Sequence, residues 1–354
     1  MHILFYGAGV LGSLYAARCQ EAGHDVSILA RGRRLADLCV QGIVLEEAAT
    51  GARTTAPVHI VDALAPNDSY DWIVVLVRRN QLDEIVPILA TNHATPNVLL
   101  MVNNASGVAA LADAVGRERT VLGFPGAGGT REGHVVRYNI VSGLIQPTTL
   151  GELHGHITPR LREIAAVFQA GGFPVALSTD MDAWLKTHVA VVSPIANALY
   201  LAGGDNYRLA RTRDGLVLLA RAIKEGFRVL HALHIPVTPF KYRLLPLVPE
   251  PLLVMTLQRM LATEWATTVM AHHANAARDE MQQLADEFRA LARVSGTPTP
   301  ALDQLYAYID PAMSLVSEGA AILPLDWRGV WAASALFASL AAGSLWLRRK
   351  HKRA

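Results

Sequence analysis

"ILFYGAGVLGSLYAARCQEAGHDVSILARGRRL", residues 3–35, decides the fold. Ile3-Leu4-Phe5-Tyr6 is a short apolar run, and "GAGVLG" at 7–12 is a glycine turn. The helix-like "SLYAARCQEAG" ends at Gly23, and "HDVSILA" reads as a second strand. Strand, glycine turn, helix and strand in this order form a βαβ unit. The glycines have separate tasks: Gly7 permits the tight turn, Gly9 lets the backbone approach a pyrophosphate, and Gly12 lets the helix pack on the strand. The helix start offers unpaired N–H groups to phosphates. Gly7, Ala8, Gly9, Val10, Leu11 and Gly12 are therefore candidate cofactor-binding residues.

The residues after the second strand select the cofactor. An NAD site carries an acidic residue about 20 positions past the glycines, bonded to the ribose 2′-OH. Here that strand ends in Arg31, with Arg33 and Arg34 close behind. A carboxylate would repel a 2′-phosphate, whereas a guanidinium pairs with it through two hydrogen bonds. The pattern predicts NADPH, with Arg31 on the 2′-phosphate. Arg33 and Arg34 either join it or form a solvated basic turn.

The chain has 354 residues, 51% of them hydrophobic, enough for two domains, and aromatics at 6% favour helices over a β sandwich. Cys19 and Cys39 cannot build a disulfide framework. His272-His273 would face apart on a helix, so no metal site is expected. The basic excess lies at the end: five of the 32 Lys and Arg fall in the last seven residues, which leaves the rest slightly acidic against 30 Asp and Glu. That gives no reason to propose a nucleic-acid binder. Apolar residues begin at Ile3 without a basic leader, so a secretory signal is not expected, and a cytoplasmic location fits the cysteine usage.

"WIVVLV" (72–77) and "VLLMV" (98–102) continue the sheet, ending at Arg78 and Asn103, with helices near 81–90 and 107–115. Ligands bind at the carboxyl ends of parallel strands, so both residues are site candidates. "TVLGFPGAGGTREGHVVRY" gives a strand, a loop with Gly126, Gly128 and Gly129, and a hairpin. The loop either approaches a nicotinamide or is a plain turn. A helix at 158–171 and a last strand at 174–178 come next. Then come a helix from 180 interrupted near Pro194 and helices near 208–234, 250–274, 278–295 and 300–309. The fold class is α/β: a Rossmann-type dinucleotide-binding domain over 1–178, an all-helical domain over 179–325, and a tail over 326–354. Lys186, inside an apolar helix, either reaches to solvent or serves as a cleft acid that protonates a forming alkoxide.

These residues resemble the ketopantoate reductase (2-dehydropantoate 2-reductase) family over about 1–310. The resemblance is carried by "GAGVLGSLYAARCQEAGHDVSILARG" and by Trp184-Leu185-Lys186. It implies NADPH and a 2-keto acid, ketopantoate foremost, meeting in an interdomain cleft. Lys186 is then the proton donor, and Glu280 orients it and touches the cofactor. Asn103 matches an asparagine on cofactor or substrate, although Asn104 replaces the glycine next to it. Arg78 stands where the family has a lysine, and Thr268 stands for a substrate-binding serine. The family's two asparagines after the lysine are missing: Ala190 takes the first place and Ser193 or Pro194 the second. Asn197 and Asn206 are the substitutes in reach. The partners this implies are a small keto acid and a second copy of the chain. A reductase of another carbonyl compound, or a membrane-attached NADPH-binding sensor or scaffold with little catalysis, is the alternative.

Residues 330–347 hold no charge, and eighteen residues span about 27 Å as a helix, near the thickness of a bilayer core. Trp331 and Trp346 flank the stretch, and Ser339-x-x-x-Gly343 is a small-residue packing pattern. It predicts attachment to the cytosolic face of a membrane, against the alternative of an Ala-rich helix packed on protein.

Overall fold

The computed structural model describes residues 1–332 and residue 334. Most of the uncharged stretch at 330–347 lies outside them. Among the described residues no helix is long and apolar enough to cross a membrane.

Twelve strands run in chain order. They are β1 His2–Tyr6, β2 Asp25–Leu29, β3 Ile43–Glu47, β4 Arg53–Ala56, β5 His59–Val61, β6 Trp72–Val75, β7 Val98–Met101, β8 Thr120–Phe124, β9 Ala127–Glu132, β10 Val135–Ile140, β11 Thr148–Glu152 and β12 Val175–Leu177. Eight form one sheet in the order β12-β11-β8-β7-β6-β1-β2-β5, parallel except where β11 meets β8. The apolar runs do not alternate because both faces are covered. Ile3, Phe5 and Val74 enter one core, while Leu4, Tyr6, Ile73 and Val75 enter the other. Register brings Tyr6 opposite both Leu29 and Val75, so β1, β2 and β6 end level. Gly7, Arg31 and Arg78 lie just past those ends at one edge.

A second sheet, β4-β3-β10-β9, packs on helix Val10–Glu21. Its hairpin is the one expected at 120–138. Strands β3 and β4 were not foreseen, because short, half-exposed "IVLEE" and "RTTA" carry little pattern. The hairpin also settles the role of its glycines. A Cβ at Gly129 would lie 2.3 Å from the Arg137 carbonyl oxygen, so Gly129 serves close packing, whereas one at Gly128 would only touch Val269 at 3.4 Å, an ordinary contact.

In the helical half, helix Met181–Leu201 runs unbroken through Pro194, contrary to the expected interruption. Seventeen of its residues are buried, and that packing holds the helix across the missing N–H. The expected helix at 208–234 divides at Thr212 into Asn206–Arg211 and Arg213–Ala232. The one at 250–274 stops at Leu261 and resumes at Glu264–Ala276 through a π turn at Thr267–Ala271. Asn206 holds this break: its amide donates to the Leu261 and Thr263 carbonyls, and its oxygen accepts from Thr267. Its polar groups are spent on the fold, so it is not a free substitute for a substrate asparagine. Helices Arg278–Ser295 and Pro300–Tyr306 complete the half. The chain then crosses the surface of this half. Asp214 accepts from the Ile322 and Leu323 N–H groups, and Arg221 donates to the Pro324 carbonyl.

Candidate active site

At the glycine turn the constraints are steric. Gly7 has φ +117°, and a Cβ there would lie 2.5 Å from the Leu76 carbonyl oxygen. A Cβ at Gly12 would lie 1.8 Å from the Gly7 carbonyl oxygen. At Gly9 nothing stands within 4 Å of the Cβ position, so space is open where a phosphate would approach. The helix begins at Val10 with no side-chain cap, which leaves its first N–H groups free for an anion. The turn fits a dinucleotide.

Arg34 is buried beneath this turn. It donates to the Ala8 carbonyl (3.2 Å), the Ser13 hydroxyl (2.9 Å) and the His134 carbonyl (3.3 Å). It ties the turn to the second sheet and is neither phosphate ligand nor solvated basic turn. Arg31 and Arg33 are exposed. Arg31 donates to the Tyr6 hydroxyl at 3.0 Å, which holds the guanidinium over the strand ends. A shallow, open groove adjoins it, lined by Arg31, Ala63, Leu64, Pro87, Ile88 and Thr91. Its largely apolar wall suits a flat base.

Where the sheet meets the helical half, the seam is polar and tightly paired. Arg78 donates to the Ala276 carbonyl (2.6 Å) and to Asp279 (3.5 Å), and Asn80 donates to Asp279 (2.6 Å). Glu280, 3% exposed, accepts from the Arg79 backbone N–H (3.2 Å) and from the Asn103 amide (3.4 Å). His273 stands 3.8 Å from its other oxygen. Buried Arg79 pairs with Glu287 at 2.9 Å, and Glu287 also accepts from the Ala105 and Ser106 N–H groups. Asn104 accepts from the Gly107 N–H at 2.8 Å. Loop 103–107 is thus fixed from both sides. Sequence reasoning missed Arg79 and Glu287, whose only signal is a doubled arginine at a strand end. The Asn103 oxygen is buried without a partner, a group still to be satisfied.

Lys186 stands at the other end of that loop. Its side chain is 13% exposed, its ammonium pairs with Asp182 one helical turn earlier, and a Cβ at Gly107 would lie 3.9 Å from it. The expected Lys186–Glu280 hydrogen bond is not formed. Glu280 spends its carboxylate on Arg79 and Asn103, and Asp182 is the acid within reach of Lys186. The two residues flank one loop instead of touching.

Beyond Lys186, Ala190 is fully buried, and a Cβ at Gly226 would lie 3.2 Å from it. Two helices cross there, so the missing asparagine leaves no room for a larger substrate. Ala190→Asn should lower stability by about 1–3 kcal/mol through overpacking, read as a lower urea midpoint. Unchanged stability with improved turnover of ketopantoate would show instead that this position opens on substrate. Ser193 and Asn197 lie on the same helical face as Lys186 and are buried. At 1.5 Å per residue Asn197 is about 16 Å farther along the axis, more than a small keto acid spans. Its oxygen lacks a partner. Thr268, in the π turn, donates to the Glu264 carbonyl at 3.1 Å.

His188, not singled out from sequence, stacks on Trp184 and packs at a tilt against Phe124. Burial, with His273 nearby, pushes it down to about 3. It stays neutral and supplies no proton at neutral pH. Among the described residues no cluster of three or more His, Cys, Asp or Glu could hold a metal.

Residues 3–155 match the family model described as ketopantoate reductase PanE/ApbA. A 2-dehydropantoate 2-reductase of Halobacterium salinarum is 29% identical over 236 residues, 66% of this chain and 76% of that one. The 2-dehydropantoate 2-reductase structure from Geobacter metallireducens superposes with TM-score 0.71 at 19% identity, covering 88% of this chain and 100% of that one. A D-mandelate dehydrogenase solved with NADH and anilino(oxo)acetate gives 0.69 at 16%, covering 87% and 97%.

Proposed function

We propose that this chain, a diverged member of the ketopantoate reductase family, reduces a 2-keto acid with NADPH. The open glycine turn with Arg31 above it carries the reading. It offers phosphate-binding N–H groups and a guanidinium at the end of β2, where an NAD site would need an acid. NADPH, when bound, supplies the hydride. Gly7 to Gly12 would hold its pyrophosphate and Arg31 its 2′-phosphate. Asn103, with its unpaired oxygen beside Glu280, would hold the nicotinamide ribose or the substrate. Arg78 would fix the cofactor edge of the seam only if its guanidinium released Ala276 or Asp279.

Lys186 gives a proton to the substrate oxygen as the alkoxide forms. Asp182 holds the ammonium until substrate draws it off, and Glu280 keeps loop 103–107 in place from the opposite side. Ser193 and Thr268 are the polar side chains proposed for the substrate's far end. Asn197 would need a longer substrate or an intervening water. Ketopantoate is the leading substrate. The loss of the family's amide at 190 predicts weaker discrimination against other 2-keto acids, because a site built on fewer such groups rejects less sharply. The same fold in a D-mandelate dehydrogenase shows that the fold alone does not fix the substrate.

The cofactor arm has a direct test. Arg31→Ala should weaken NADPH by about 1.5–3 kcal/mol, the range for a hydrogen bond to a charged group, while NADH binding changes little. Binding of both cofactors measured by fluorescence titration checks this. An equal loss for both would remove Arg31 from the 2′-phosphate.

A further inference from the structure

One loop stands between the groups that the proposed reaction needs. Asn103 opens it beside Glu280, and Gly107 closes it against Lys186, whose Nζ lies 3.9 Å from a Cβ built at that glycine. Asn104, which stands where the resemblance leads one to expect a glycine, braces the loop from within. Its side-chain oxygen accepts from the Gly107 N–H at 2.8 Å and from the Ser106 hydroxyl at 3.3 Å. Gly107 has φ +101°, a turn that a side chain would strain. So braced, residues 103–107 move as a unit, and a displacement at one end reaches the other.

The grip from outside comes from one carboxylate of the helical half. Glu287 lies on helix Arg278–Ser295, and its side chain is only 10% exposed. One oxygen accepts from the Ala105 N–H at 2.9 Å and from the Ser106 N–H at 3.2 Å. The other accepts from the Gln283 amide at 3.2 Å and stands 2.9 Å from Arg79 Nε, an ion pair without hydrogen-bond alignment. Arg79 belongs to the sheet half. Its guanidinium also reaches the Ser106 hydroxyl at 3.5 Å, and its backbone N–H donates to Glu280. Burying such a pair carries a desolvation cost that its attraction hardly offsets, so stability alone does not account for it. What the pair fixes is geometry, because two N–H groups of the sheet half rest on one acid of the helical half. We propose that Glu287, backed by Arg79, is a positioning residue that holds loop 103–107 so that Asn103 and Lys186 address the same substrate, a role that rests on Lys186 giving the proton. Glu287 acts through the loop. A displacement of about 1 Å at a reacting group can cost on the order of 10²-fold in rate, so a grip at this remove matters to turnover.

Amide hydrogen exchange and kinetics on the full chain test this together. Glu287→Ala should speed exchange in the peptide spanning 103–107 while the rest of the chain keeps its protection. Its kcat with the 2-keto acid that the wild type turns over should fall by on the order of 10- to 10²-fold, with KM changing less. Glu287→Gln keeps an acceptor for the two loop N–H groups and should restore much of both. In a Lys186→Ala background the same Glu287→Ala change should cost much less, because an absent proton donor cannot be misplaced. Unchanged exchange at 103–107, unchanged kcat, or an equal fractional loss in both backgrounds overturns the proposal. So does faster exchange spread over the whole chain, which would make Glu287 a stability residue. Exchange is read without substrate and separates this role from the reductase reading. A loop that loosens in a protein turning over no 2-keto acid would keep the grip of Glu287 and discard its link to Lys186.

Discussion

Lys186→Ala should lower kcat by about 10²–10⁴, the contribution of a positioned general acid. Each factor of ten corresponds to about 1.4 kcal/mol of barrier. The loss should fall on kcat, because proton donation to the forming alkoxide occurs only as the transition state is reached. NADPH affinity should stay within a few-fold, since the glycine turn and Arg31 lie on the sheet and Lys186 on a helix of the other half. The fold should survive as well: the side chain is partly exposed, and its partner Asp182 is 38% exposed and can be solvated alone. Single-turnover kinetics with NADPH read this cleanly. Near-normal turnover would make Lys186 half of an ordinary i,i+4 surface pair.

Gly9→Ala should separate binding from folding. The position has φ −72°, which alanine adopts without strain, and no protein atom lies within 4 Å of the added Cβ. Stability should therefore be unchanged. The methyl would occupy the space that the pyrophosphate needs, and NADPH affinity should fall by on the order of 10²-fold, about 2.7 kcal/mol. Gly12→Ala is the contrast. Its Cβ would meet the Gly7 carbonyl oxygen at 1.8 Å, so the helix must move and stability must fall too. Thermal unfolding with NADPH titration of both variants distinguishes the two. If Gly9→Ala binds NADPH as tightly as the wild type, the turn does not hold the cofactor.

The nucleotide-binding half was legible because its signals are local. Apolar runs with glycines at 7, 9 and 12 specify turn, approach and packing within one short segment. The arginines show the limit of that reading. Arg31 and Arg34 are three residues apart and equally charged, yet one stands in solvent over the strand ends and the other is buried beneath the turn. Only the fold brings the His134 carbonyl and the Ser13 hydroxyl to Arg34. The sequence marked Arg78, Asn103 and Glu280 but not how the seam pairs: Arg79 meets Glu287, and Asn103 meets Glu280, across about 180–210 residues of chain. Helix breaks were misplaced where packing outweighs propensity. Pro194 sits inside a buried helix, while Thr212 and the Leu261–Glu264 gap interrupt segments whose composition reads as continuous. Ala190 is the most instructive position. From sequence it looks like a deleted substrate contact, whereas in the structure Gly226 has closed on it.

NADPH consumption by the purified full chain, measured across a panel of 2-keto acids that includes ketopantoate, tests the central claim most directly. The proposed function predicts steady turnover with at least one of them, a clear preference for NADPH over NADH, and loss of turnover in Lys186→Ala without loss of NADPH binding. Tight NADPH binding with no turnover of any 2-keto acid would contradict it.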